Sequence, residues 1–162
     1  MVDQHSALRV KLSDIIEGLE FQADESFSYL HTATGEVVSV TTEELRAAEN
    51  DEPLEAFPAW QHDAIRIAGE IVETEHYLPV PDRFEINEYR IMERFCHSVD
   101  DADLRGDLCD AIRGRGAFRR FKDRMQLYGM AEAWYRYRDA ALREIAVAWC
   151  EAHGIPYTET EG

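Results

Sequence analysis

Long apolar runs are missing from this 162-residue chain. None approaches the ~20 residues of a membrane-spanning helix. The opening MVDQHSALRVKL also lacks the apolar centre of a secretory signal. Cysteine is scarce: Cys96, Cys109 and Cys150 form an odd, irregularly spaced set, which excludes a disulfide framework and predicts reduced thiols in a cytoplasmic protein. Positive charge is scarce too, with 17 basic against 33 acidic residues and a net charge of −16. That balance works against binding to nucleic acid or to an anionic membrane, while leaving room for a local basic site. There is no internal repeat, low-complexity tract or long linker. A hydrophobic fraction of 45% with 10% aromatics excludes general disorder, and the length suits one domain. One globular domain over 1–155 with a flexible tail at 156–162 is predicted.

What positive charge there is lies late in the chain. Residues 1–81 hold 4 basic and 17 acidic side chains, and residues 82–162 hold 13 and 16. Hydrophobic spacing predicts a first helix over Val10–Leu19. Ser26–Val40 reads as a hairpin turning at Thr34-Gly35. Thr41-Thr42-Glu-Glu reads as a capped helix start, and Asn50–Pro58 as a loop. Trp60–Val72 is an amphipathic helix with Trp60, Ile67 and Ile71 on its apolar face. His76–Val80, bounded by prolines, fits an edge strand. Helices follow over about Glu85–Val99, around Leu104–Ile112, from Ala117 to Gly129, and over Met130–His153. Phe118, Phe121 and Met125 are expected to face inward from the third of these. Trp134, Tyr137, Ala141, Ile145 and Trp149 make the stripe of the last.

From Tyr77 onward three segments are distinctive: YLPVPDRFEINEYRIMERFCHSV, LRGDLCDAIRGRGAFRRFKD and WYRYRDAALREIAVAWCEAHGI. With the upstream YLHTATGEVVSV, they resemble an uncharacterised bacterial protein family of the UPF series, number 158, over roughly residues 10–155. Where that family often has an aspartate after the strand tyrosine, this chain has Leu30 and His31. The resemblance implies a fold. It implies no reaction and brings no catalytic residue with it.

The sharpest local feature is the run from Arg113 to Arg124, with six basic residues and one acid. Gly114 and Gly116 permit a tight turn before a helix start, whose free N–H groups and partial positive charge suit an anion. Arg113, Arg115, Arg119, Arg120 and Lys122 are the candidate anion- or partner-binding residues. The competing reading is that this segment packs against the chain's own acids, Asp100, Asp101, Asp103 and Asp107 among them. Arg138 and Glu88 each fall inside an apolar arc of their helix, which marks them as partly buried polar groups in need of partners, each other being one candidate; the competing reading is that both snorkel from a groove rim. Glu85 and Glu88, one turn apart in the predicted helix, could flank a substrate as acid and base; the competing reading is that they are first-turn acids favoured by the helix dipole.

Other chemistry is missing. The six histidines form no i,i+4 pair, Cys96-His97 is a poor chelate, and there is no CxxC, GxSxG, Walker loop or GxGxxG. No cofactor or metal is expected. These readings add up to an α+β fold, mostly helical, in which a small antiparallel sheet of two or three strands packs on a C-terminal helical bundle. The expected function is a non-enzymatic binding or regulatory module with a basic edge at 113–124. The alternative is a small hydrolase-like enzyme using carboxylates near Glu85 and Glu88. A protein or small anionic ligand fits that edge better than nucleic acid. Self-association is a further option, and no membrane is expected.

Overall fold

A computed structural model describes residues 9–159 of the protein. The fold is α+β. The chain divides into two compact units: Asn87–Glu144, and the residues flanking it, up to Ile86 and from Ile145.

The flanking unit is built on a three-stranded antiparallel sheet in the order β3-β2-β4, with β2 (Ser26–His31), β3 (Val37–Thr41) and β4 (Tyr77–Pro79). The 76–80 segment is an edge strand, where the missing N–H of Pro79 is tolerated. Gly35, at φ +79°, makes the hairpin turn. Helix α1 (Leu12–Glu20) lies on the sheet through Gly18, where a Cβ would sit 3.0 Å from Val37 Cγ1 and 3.4 Å from Ser28 Cβ. The buried Ser28 hydroxyl donates to Gly18 O at 2.9 Å and meets Ser39 Oγ at 2.7 Å, so the close approach leaves no buried hydroxyl unsatisfied. Helix α2 (Thr42–Glu49) starts with a reciprocal capping box between Thr41 and Glu44. Helix α3 (His62–Glu73) buries Ile65 and Ala68, and a short α4 spans Arg83–Ile86.

The predicted tail is partly held. Val10–Lys11 (β1) pairs in parallel with Tyr157–Thr158 (β5), and Val10 N–H donates to Pro156 O at 3.1 Å. A two-residue pairing across the whole chain leaves no periodic trace in the sequence. The rest of the predicted tail, 160–162, lies outside the described residues.

The 87–144 unit is helical: α5 (Glu88–His97), α6 (Ala102–Ala111), α7 (Ala117–Leu127) and the first part of α8 (Ala131–Ala152). Its core is an aromatic cluster. Phe121 meets Trp134 edge-on with centroids 4.8 Å apart, and Phe95 meets Trp134, Tyr137 and Phe121 at 5.4, 5.3 and 6.0 Å. Such tilted pairs match ring quadrupoles as well as burying area.

Four expectations are corrected here. The helix predicted over 85–99 breaks at Asn87, which adopts φ +53° and caps the second segment by accepting from Arg90 N–H at 3.2 Å. Asn tolerates the left-handed region, so the apolar spacing runs on while the helix does not. Trp60 stands in a 3-10 turn before α3 and is 79% exposed rather than on an apolar face. Phe118 is 44% exposed, while Phe121 and Met125 are buried. Along α8 the buried line is Trp134, Leu142, Ala146 and Cys150, one residue round from the predicted stripe after its first member. Arg138 occupies the missing place in that line, because 134, 138, 142, 146 and 150 recur every four residues.

Candidate functional site

The basic run Arg113–Arg124 forms the turn between α6 and α7 and the first two turns of α7. Gly114 and Gly116 both have positive φ, +73° and +75°, which is why the turn needs glycine at those two places. Its cations divide sharply by partner. Arg120 folds back under the turn: Nε donates to Ala111 O at 2.7 Å, Nη1 to Arg115 O at 2.6 Å, and Nη2 to Arg113 O. One guanidinium thus satisfies three carbonyls that the end of α6 and the turn leave without helical partners. Arg124 Nε pairs with Asp107 at 2.9 Å, and the Tyr128 hydroxyl donates to the same carboxylate. Those two donors, the Tyr128 hydroxyl first, hold Asp107 below the usual carboxylate range, and Asp107 in turn raises Tyr128. Arg113 lies 3.9 Å from Asp110, with both side chains in water.

Arg115, Arg119 and Lys122 remain. All three are exposed, and no other described residue offers them an ion pair or side-chain hydrogen bond. Of the five residues predicted for this edge, Arg120 is therefore part of the scaffold, Arg113 is loosely engaged, and Arg115, Arg119 and Lys122 face outward.

Lys122 and its neighbour Asp123 line a cleft of about 530 Å³ between α7 and α8. Phe121, Met125 and Trp134 form its apolar lining, the exposed Phe118 and Tyr135 flank it, and Lys122 stands at its edge. The Glu88–Arg138 pair closes part of the wall: Arg138 Nε donates to Glu88 Oε1 at 2.6 Å, with the two side chains 23% and 39% exposed. Phe118 also meets Tyr89 edge-on at 6.3 Å, and the Tyr89 hydroxyl donates to Ile112 O at 2.9 Å. Sequence reasoning missed the cleft. Its one available signal was Phe118, an aromatic residue beside the arginines that the helical arc placed in the core.

The carboxylate pair proposed for acid–base work is not assembled on one helix. Asn87 separates Glu85, in α4, from Glu88, in α5. Glu85 Oε1 accepts from Asp82 N–H at 2.9 Å, and Asp82 accepts from Glu85 N–H at 2.8 Å, a reciprocal cap; Glu88 is held by Arg138. Cys96 and Cys150 are buried, and burial pushes their thiols up to about 12 and about 11. Cys109 is half-buried, with its sulfur 3.7 Å from His97 Nδ1. No cluster of three or more metal-ligating side chains occurs among the described residues, nor any helix long and apolar enough to cross a membrane.

No solved structure matches the chain. The UPF0158 protein PA5073 of Pseudomonas aeruginosa is 29% identical over 84 residues, a stretch covering 51% of this chain and 55% of that relative, so the match spans about half of either protein. The sequence pattern of an uncharacterised protein family, UPF0158, matches residues 5–161, which takes in both units and the whole of the basic edge. By that match across nearly its full length, the chain belongs to the UPF0158 family.

Proposed function

We propose that the 87–144 unit is a non-enzymatic binding module whose basic edge takes an acidic segment of a protein. The observation that carries this reading is the division of the cations. A segment that served only to neutralise the chain's own acids would engage its outward arginines as it engages Arg124. Instead Arg115, Arg119 and Lys122 stand in water without partners among the described residues, and Lys122, with Asp123 beside it, lines an aromatic cleft. Cations beside exposed aromatic side chains suit a ligand that brings carboxylates and an apolar anchor together. A polyanion lacking an anchor would use only half of the surface. Three cations also offer little counterion release, so nucleic acid would be held weakly at physiological salt.

The test is a two-dimensional NMR titration with an unrelated acidic peptide containing one tryptophan, with inorganic phosphate and a single-stranded RNA as the other arms, at about 0.15 M salt. The peptide is expected to shift amides of 115–126 and to lose roughly tenfold in affinity with Arg119→Ala and Lys122→Ala together. Phosphate should give weaker shifts in the same place, and RNA none below the micromolar range. Sub-micromolar RNA binding, or peptide shifts scattered over the chain, would overturn the reading.

A further inference from the structure

We propose that the occupant of this edge is a second copy of the same chain, through its acidic, aromatic turn Asp51–Trp60. The proposal rests on the reading of the edge as a binding surface and names its partner.

Trp60 is the starting observation. Its indole is 79% in water, tryptophan is among the side chains most enriched at binding hot spots, and the turn that carries it is held by hydrogen bonds of its own. Glu52 N–H donates to Ala47 O at 3.0 Å, Ala56 to Pro53 O at 3.0 Å, Phe57 to Leu54 O at 2.9 Å and Gln61 to Pro58 O at 3.0 Å. The Gln61 amide ties the end of the turn to Glu43 at 2.9 Å, and the His62 ring meets Phe57 O at 2.9 Å. Its shape is therefore set before any partner arrives, and docking carries little ordering cost. The turn also displays three exposed acids, Asp51, Glu52 and Glu55, whose carboxylates have no partner among the described residues. Phe84, more exposed still at 90%, differs here. Its neighbours Asp82 and Glu85 cap one another, and Arg83 pairs with Asp24 at 2.7 Å.

The edge mirrors these properties. Three cations without partners among the described residues match three such acids in number, and the cleft of about 530 Å³, lined by Lys122 and Asp123 at its edge, is large enough to receive one indole against Trp134, Phe118 and Tyr135. Beyond the contact, the near-neutral unit opposes no net charge to the acidic remainder of a second copy. The 87–144 unit holds 12 basic and 11 acidic residues, and the rest of the chain holds 5 and 22. Because the two surfaces differ, the contact is heterologous and grows head to tail into a ring or an open chain. It should weaken in salt, since its charged part is solvent-accessible.

The experiment is sedimentation velocity on the full chain over a concentration series, at low salt and at about 1 M salt. The wild type is expected to gain mass past the dimer as concentration rises and to lose it in high salt. Trp60→Ala alters an exposed side chain, and the double variant Arg119→Glu, Lys122→Glu alters two exposed cations, so both should fold. Each alone should be monomeric. Mixed, they should form a dimer and nothing larger, because one supplies the intact edge and the other the intact turn. A monomeric wild type at every concentration would overturn the proposal, as would undiminished association of Trp60→Ala. If the chain is monomeric while the unrelated acidic peptide still binds 115–126, the second-copy assignment fails and the binding-module reading stands. If neither associates, both fail.

Discussion

The two units handle charge in opposite ways. Outside 87–144 the chain carries a large acidic excess, and its ion pairs, such as Arg66–Asp63 and Arg83–Asp24, sit in water. Its polar side chains act mostly on backbone groups: Thr41 with Glu44 and Asp82 with Glu85 cap helices, and Gln22 donates to Val80 O and Pro81 O at 3.2 and 2.8 Å. Within 87–144 the charges nearly balance, and several have specific structural partners: Arg120 on three carbonyls, Arg124 on Asp107, Arg138 on Glu88. Near neutrality does not make that surface inert. Once the structural pairs are set aside, the outward cations stand out, which a count of charge conceals.

The largest expected effect concerns the aromatic core. Phe121→Ala should cost about 3–5 kcal/mol in urea denaturation, with amide exchange rising most within 87–144. Exchange rising equally across the β2-centred sheet would break the division into two units. Next is the arginine beneath the turn. Arg120→Met leaves three carbonyls without their charged donor and should cost about 2 kcal/mol, whereas Arg119→Met should change stability by less than about 0.5 kcal/mol. Equal losses would erase the distinction between scaffold and edge.

The Glu88–Arg138 pair is intermediate in exposure, so its coupling should fall between that of exposed pairs and that of buried ones, at about 1–2 kcal/mol. A urea cycle with Glu88→Gln, Arg138→Met and the double variant measures it. Additivity within about 0.5 kcal/mol would remove the pair from the structural set. Asp107 supplies a pH dependence. Its folded carboxyl is held below its unfolded value, so its stabilisation is present above the unfolded pKa of about 3.9 and fades as pH falls through the lower folded value. The stability gap between wild type and Asp107→Asn should therefore be constant above about pH 5 and narrow under acid. A gap that does not narrow as pH falls below about 4 would mean the carboxylate charge contributes nothing. The smallest effect belongs to the other unit: Arg66→Ala removes an exposed pair and should alter stability by less than about 0.5 kcal/mol.

Much of the fold was legible because its signals are local. The Gly35 turn, the Thr41 capping box, the glycine break before Ala117 and the end of α8 at Gly154, with φ +66°, each depend on a few adjacent residues whose backbone preferences are strong. Asn87 was harder to see. A single left-handed asparagine interrupts the helix without interrupting the apolar spacing, so periodicity alone runs straight through it. The site was half legible. Composition and spacing picked out the basic run, and the arcs of two helices singled out Glu88 and Arg138.

By itself the sequence determined the class of fold, the order of nearly every element, the position of the basic edge and the membership of a family. All of these follow from propensity, hydrophobic period and short motifs, which are encoded over a few turns of chain. Only the tertiary structure decided which cations serve the scaffold and which face water. Arg119 and Arg120 are adjacent and chemically identical, and 100° of helix rotation sends one into water and the other onto the carbonyls of Ala111, Arg113 and Arg115. The tertiary structure likewise opened the cleft beside Phe118, paired β1 with β5 from opposite ends of the chain, and left Trp60 on an ordered turn in water. Each of these depends on what lies opposite a residue in space, and helical or strand periodicity describes only which way a residue faces.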